Sequence, residues 1–376
     1  MILLRCLALR RGTKIKNGVI SLNTIVSYYP LDEKMIRTEP EKKQLKRELF
    51  VFLAITFAVT YLLEIFVIMQ EGAGILSSKW MLIPMYIPAV AAILCMVGFK
   101  SKALTRESKL FLAMFLLASA VTLVEGLYQP LLGTIGPFPI LTAIISVAAF
   151  LTVLLQNLRA SWRSKLADAK LSFGHNYRYY LIIPVIFSVL FILGYFISHM
   201  LGLSLPTIEY DPRSFFVFIG MYLITFFITW PQYFGEEYGW RFYLQDRVLP
   251  IFGIYPGIVL IGIIWGLWHL PLMLVGLNFP DNLFAGNIIY LAWTIILGII
   301  FSYAVLKTRS IWIAVLLHAL TDAFIGTGSG YIANSNVLAG FLPILLLLGI
   351  LAAILIRSRV WKDETTGANI EAPSSV

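Results

Sequence analysis

Three short stretches of the sequence hold acids and histidines at spacings suited to acid–base chemistry. The first is Gly235-Glu236-Glu237-Tyr238-Gly239-Trp240-Arg241. On a helix, Glu237 and Arg241 stand four residues apart on one face and form an ion pair. Glu236 points about 100° away at ~3.6 residues per turn and cannot use the same arginine well. One carboxylate is then structural and its neighbour is free to act. Read alone, the stretch equally suits a charged amphipathic helix continued by Gln245, Asp246 and Arg247. The second, Trp265-Gly266-Leu267-Trp268-His269-Leu270-Pro271, puts an indole and an imidazole on one face, and Pro271 frees a backbone carbonyl there. A packing histidine would give the same pattern. The third is His318-Ala319-Leu320-Thr321-Asp322. Its spacing aligns imidazole and carboxylate, so Asp322 either orients the ring or joins it in facing one site. Two ionisable groups in a short apolar helix are hard to explain by packing.

The remaining polar residues carry less. Glu64 and Glu125 lie within or at the end of apolar runs, where arginine or backbone partners are expected. His199 ends one run and His175 sits in a polar connection, and both read as interfacial. Gly326, Gly328 and Gly330 read as a turn, since no Lys-Ser/Thr follows to make a phosphate loop. There is no HExxH, GxSxG or dinucleotide-binding fingerprint. Cys6 and Cys95 are the two cysteines, too few for a disulfide scaffold or a cysteine-based metal cluster.

The elements that must position these residues follow from composition. Of 376 residues, 59% are apolar and 13% charged, and mean hydropathy is +0.84. Soluble domains are near 45–50% apolar and about 25% charged, so a polytopic membrane protein is expected. Ten apolar runs approach the roughly 20 residues a spanning helix needs. They lie near 49–69, 80–99, 110–127, 138–156, 179–199, 214–234, 252–274, 284–306, 311–326 and 338–356. Open strand edges do not survive in lipid, which leaves an all-α integral membrane bundle of about eight to ten helices. Assigning alternate connections to one side places 27 of the 29 Lys and Arg there, with Lys79 and Arg213 opposite. That asymmetry orients both termini to the cytoplasm of a cell membrane. The net charge of +9 is then topological, with some attraction to anionic lipid, and no nucleic acid partner is expected.

Residues 1–47 read as a basic cytoplasmic segment, disordered or helical, leading into the first span. Met1–Leu9 is apolar for too few residues to cross and lacks a small-residue cleavage site, so no signal peptide is expected. Met35 is an alternative start. Residues 48–213 hold the first membrane helices, 331–356 the last, and 357–376 a polar, disordered cytoplasmic tail.

Taken in order, EEYGWR, WGLWH and HALTD resemble the EExxxR, FxxxH and HxxxN/D motifs of the CPBP family, the CAAX proteases and bacteriocin-processing enzymes also called ABI. The resemblance makes 214–330 a CPBP catalytic core with a CAAX-protease-like helical fold around an intramembrane cavity. It implies an intramembrane endopeptidase acting on a peptide or the C-terminal region of a membrane-associated protein, possible prenylated CAAX-type substrates included. Glu236 matches the base that activates water, Glu237 and Arg241 its support, His269 the second-motif histidine, and His318 with Asp322 the third motif. Trp265 stands where the family usually has Phe, an aromatic exchange expected to change little. Asp322 stands where the prenyl-protease branch has Asn. An ionised Asp cannot donate to an oxyanion, so it is expected to orient His318 or contact a metal, leaving His318 the electrophilic role.

No cofactor is favoured. The alternative is a divalent metal, zinc by choice, held by Glu236, His269, His318 and Asp322, although their spacing matches no standard zinc helix motif. A transporter or immunity-type binding protein using the same polar cavity is the competing reading. Depth adds a constraint. His269 lies 15–17 residues into its helix, roughly 22–25 Å from the membrane face at 1.5 Å per residue. Glu236 reaches it only if residues 236–246 continue as buried helix with Arg241 paired inside the bundle.

Overall fold

The computed structural model describes residues 39–71, 82–102, 104–132, 136–174, 176–203, 212–275, 282–326 and 337–361. The segment 1–38 with Cys6 and Met35, the residues beyond 361, His175, Lys79, Gly328 and Gly330 lie outside these. Among the described residues there is no strand, and helices follow one another throughout. They are α1 (Glu39–Glu71), a 3-10 turn (Ile83–Tyr86), α2 (Ile87–Phe99), α3 (Arg106–Leu132), α4 (Phe138–Leu158), α5 (Ala160–Ala167) and α6 (Tyr179–Met200). Then come α7 (Pro212–Glu237), a π-helix (Tyr238–Leu244), α8 (Gln245–Phe252), α9 (Ile254–Trp268), α10 (Leu270–Leu274), α11 (Leu283–Thr308), α12 (Trp312–Gly326) and α13 (Val337–Leu355).

Five stretches are long and apolar enough to cross a membrane: 39–66, 106–126, 138–158, 179–200 and 283–308. Four shorter apolar helices accompany them, at 83–99, 254–268, 312–325 and 339–355. The outer faces are greasy as well as the core. On α4, Ile140, Ile144, Leu151, Leu155 and Leu158 all point away from the protein, at spacings that keep them near one side. Water would penalise such a patch and hydrocarbon does not. The chain is an all-α polytopic membrane bundle.

Two sequence readings need correction. The expected run 252–274 is not one helix. Pro271 has no N–H to give, so α9 ends at Trp268 and the short α10 begins after His269. The carbonyl of Leu267, four residues before Pro271, accepts instead from the Tyr61 hydroxyl of α1 at 2.5 Å. The second correction is the tail, which does not start at 357. Trp361 is buried, donates through its indole to the Leu355 carbonyl at 2.8 Å and lies against Tyr303.

The basic connections gather at one end of the bundle. Arg247 reaches Glu48 of α1 and Ser101 after α2. Lys170 pairs with Asp246 at 2.8 Å, its carbonyl accepts from the Ile311 amide, and Asn176 donates to the Lys307 carbonyl. Burial pushes the Asp246 carboxyl up, but Lys170 and Lys102 outweigh it and hold it below the usual carboxylate value. The connections around residues 100, 170, 246 and 308 thus share one polar cap, as their alternation along the chain requires.

Inside, the core is aromatic. Trp230 and Phe234 of α7 pack against Phe111 of α3 and Trp312 of α12, with ring centroids 5.3 to 5.7 Å apart. Such contacts favour the bundle by about 0.5–1.5 kcal/mol per pair beyond simple burial. They fix α7 and α12, the two helices that carry the first and third motifs.

Candidate active site

The first motif begins where α7 passes into the π-helix. Residues 230–244 are buried without interruption, so the chain stays inside the bundle past Glu236, as the depth argument requires. Gly235 and Gly239 explain how it fits. A Cβ on Gly235 would lie 2.3 Å from the Met85 carbonyl, and one on Gly239 the same distance from Pro88. The glycine face therefore presses on the start of α2. A π-helical turn is uncommon and is found mostly at functional sites.

Glu237 and Arg241 are fully buried, and Arg241 Nη1 donates to Glu237 Oε1 at 3.2 Å. The same oxygen accepts from His318 Nδ1 of α12 at 2.8 Å. This corrects the expectation that Asp322 orients the ring. Asp322 does share a face with His318, but its Oδ1 lies 3.9 Å from Nε2, beyond hydrogen-bonding range. Nδ1 turns across to the end of α7, because the Glu237 carboxylate there is already held in place by Arg241. The Asp322 side chain remains 43% exposed.

Glu236 takes a different set of partners. Its Oε2 accepts from the Trp265 indole at 2.7 Å and the Trp240 indole at 3.4 Å. Trp265 is thus more than an aromatic substitute for Phe, since phenylalanine has no N–H to offer. The Trp265 ring also covers the Arg241 guanidinium, 4.2 Å from the ring centroid. His269, at the break between α9 and α10, uses Nδ1 on the Trp265 carbonyl at 2.9 Å. A carbonyl only accepts, so the proton sits on Nδ1, and the neutral ring keeps its lone pair on Nε2. Trp268 and Tyr290 flank the imidazole, with ring centroids 4.6 and 5.1 Å away.

Glu236, His269, His318 and Asp322 all line one cavity of about 240 Å³. Its walls include Trp265, Trp268, Trp293 and Leu297. Glu237 and Arg241 stand behind it. One further acid lines it that lies outside the three motifs: Glu64 of α1, which is 1% exposed. The expectation that Glu64 pairs with an arginine or the backbone does not hold, as neither of its oxygens has a hydrogen-bond partner among the described residues. An acid in mid-helix was the signal, but its partner helix could not be read. His199, at the end of α6, is exposed, consistent with an interfacial place.

Among the described residues, no three His, Cys, Asp or Glu side chains come together as metal ligands do. His318 Nδ1 is committed to Glu237.

Residues 211–324 match the family model described as Type II CAAX prenyl endopeptidase Rce1-like, a span that takes in all three motifs. A curated relative, "CAAX prenyl protease 2" of Methanococcus maripaludis, is 34% identical over 92 residues. That alignment covers 23% of this chain and 34% of the relative, so the chain spans about a third of the relative's length. Over residues 211–324, where the cavity's acid and imidazoles converge, the chain is similar to that endopeptidase family.

Proposed function

We propose that this protein is an intramembrane endopeptidase that hydrolyses a peptide bond with a water activated by Glu236. One observation carries the reading: Glu236, His269, His318 and Asp322, from three separate helical segments, line one cavity. Amide hydrolysis needs a base for the water and a donor for the tetrahedral oxyanion. Glu236 takes the water proton as the oxygen attacks the scissile carbonyl. The two indoles on Oε2 hold the carboxylate so that it meets the water in a fixed orientation. His269 accepts a second hydrogen bond from the water through Nε2. His318, anchored through Nδ1 by Glu237, donates from Nε2 to the oxyanion, a role that requires the doubly protonated ring. When the C–N bond breaks, Glu236 returns its proton to the leaving amine. Asp322 stands beside His318 as counter-charge.

The route needs no metal. The substrate is a peptide or the C-terminal region of a membrane-associated protein, and the matched model and relative favour a CAAX-type, prenylated one. Residues 214–330 form the catalytic core, between the membrane helices of 48–213 and the last span. The basic cap faces the cytoplasm of a cell membrane, as its lysines and arginines favour. Proteomics of membrane fractions from cells with the wild-type protein or Glu236→Ala tests this. Polypeptides shortened only in the wild-type fraction are expected; identical fragment patterns would count against a protease.

A further inference from the structure

The cavity has more acid than the hydrolytic scheme uses. Glu64, Glu236 and Asp322 line it together with His269 and His318, and no described lining residue is Lys or Arg. Arg241 is fully buried, bonded to Glu237 and covered by Trp265. Glu64 does nothing for the fold that its contacts reveal. Its neighbours one turn back do that work: Thr60 accepts from the Trp268 indole at 2.8 Å, and Tyr61 donates to the Leu267 carbonyl. These two bonds clamp α1 to the break that carries His269, and Glu64 follows on the next turn toward the cavity. A buried carboxyl with both oxygens unpartnered is costly, and such groups persist where a partner arrives from outside.

We propose that Glu64 is a recognition site for a cationic group, an ammonium or guanidinium carried by the substrate. The inference rests on the peptidase reading of the same cavity and adds the class of substrate. A carboxylate and an organic cation form a short, charge-assisted hydrogen bond, stronger than a neutral one. In a cavity walled by tryptophan and leucine, that bond is weakly screened, and the tryptophan faces also suit a cation. Glu64 lies outside the matched span 211–324, so α1 contributes selectivity to a catalytic centre built by other helices.

The test uses the full-length protein in detergent, with Glu236→Gln added to stop turnover. Fluorescent decapeptides carry lysine or its uncharged isostere norleucine at each position in turn. At one position lysine is expected to bind at least about tenfold tighter than norleucine, the fold-change of one charge-assisted hydrogen bond. Glu64→Gln in the same background is expected to remove that preference, and Glu64→Asp to keep part of it. Equal binding of both series would overturn the inference, because a neutral Glu64 that only donates to a backbone carbonyl makes no such distinction. A preference that survives Glu64→Gln would overturn it too. Binding is read without cleavage, so a lysine preference in a protein that cuts nothing would refute the peptidase and leave the site standing.

Discussion

Two arginines six residues apart, Arg241 and Arg247, each face a glutamate, and they are treated in opposite ways. Arg247, at the polar cap, is saturated. Its Nε and Nη2 donate to Glu48 Oε2 at 3.1 and 2.8 Å, Nη2 also reaches Ser101, and Nη1 donates to the Tyr243 carbonyl. Arg241 sits fully buried with one bond, at 3.2 Å to Glu237, while its Nε and Nη2 and Glu237 Oε2 have no hydrogen-bond partner among the described residues. Aromatic faces stand in for the missing acceptors, Trp265 at 4.2 Å and Phe301 at 5.2 Å. The capping pair locks helix ends together. The interior pair leaves a carboxylate oxygen able to hold a histidine, and it tolerates unsatisfied groups to do so. The Arg247 pair at the cap has its donors satisfied; the Arg241 pair beneath the cavity does not.

The largest effect should come from Arg241→Ala. It strands a fully buried Glu237, which costs about 3–5 kcal/mol, and it should lower the unfolding midpoint in detergent as well as activity. Arg247→Ala should cost about 1.5–3 kcal/mol, because Glu48 keeps its hydrogen bond from Gln44, and the protein that does fold should keep its turnover. Equal loss of stability and activity in both variants would erase the distinction between the pairs. Trp265→Phe keeps the ring over Arg241 but removes the donor to Glu236. Turnover should fall about tenfold with KM and unfolding midpoint little changed. Asp246→Asn should have the smallest effect, within about 1 kcal/mol, since its pair with Lys170 is partly exposed. Its sign with pH is fixed. The folded carboxyl is held below its ordinary value of 3.8, so the contribution is present above that value and disappears as pH falls through the folded one. Denaturation of the two proteins at neutral pH and near pH 3 would show whether the gap closes.

Much of this was legible in the residues. Acid and histidine types, the spacing of four in each motif, and the lengths of the apolar runs located the site residues and forced Glu236 inward. Pro271 announced the break at His269, because a missing N–H is a local property. What stayed hidden lies between helices. Nothing in HALTD says that Nδ1 turns to Glu237 on another segment and not to Asp322 four residues away. Trp265 looked like a neutral exchange for Phe because its indole partner comes from a different helix. Glu64 gave only the sign of an expensive group in an apolar run; its place in the cavity with His269 depends on how Thr60 and Tyr61 dock on the end of α9. Trp361 lies past the last span, where local polarity suggested a tail.

The most direct measurement is peptide cleavage by purified wild-type and Glu236→Ala proteins, with unfolding midpoints taken on the same preparations. If Glu236 activates the water, the variant keeps its midpoint and loses at least about a hundredfold in rate. A folded Glu236→Ala protein that cleaves at the wild-type rate would contradict the assignment of that carboxylate as the base.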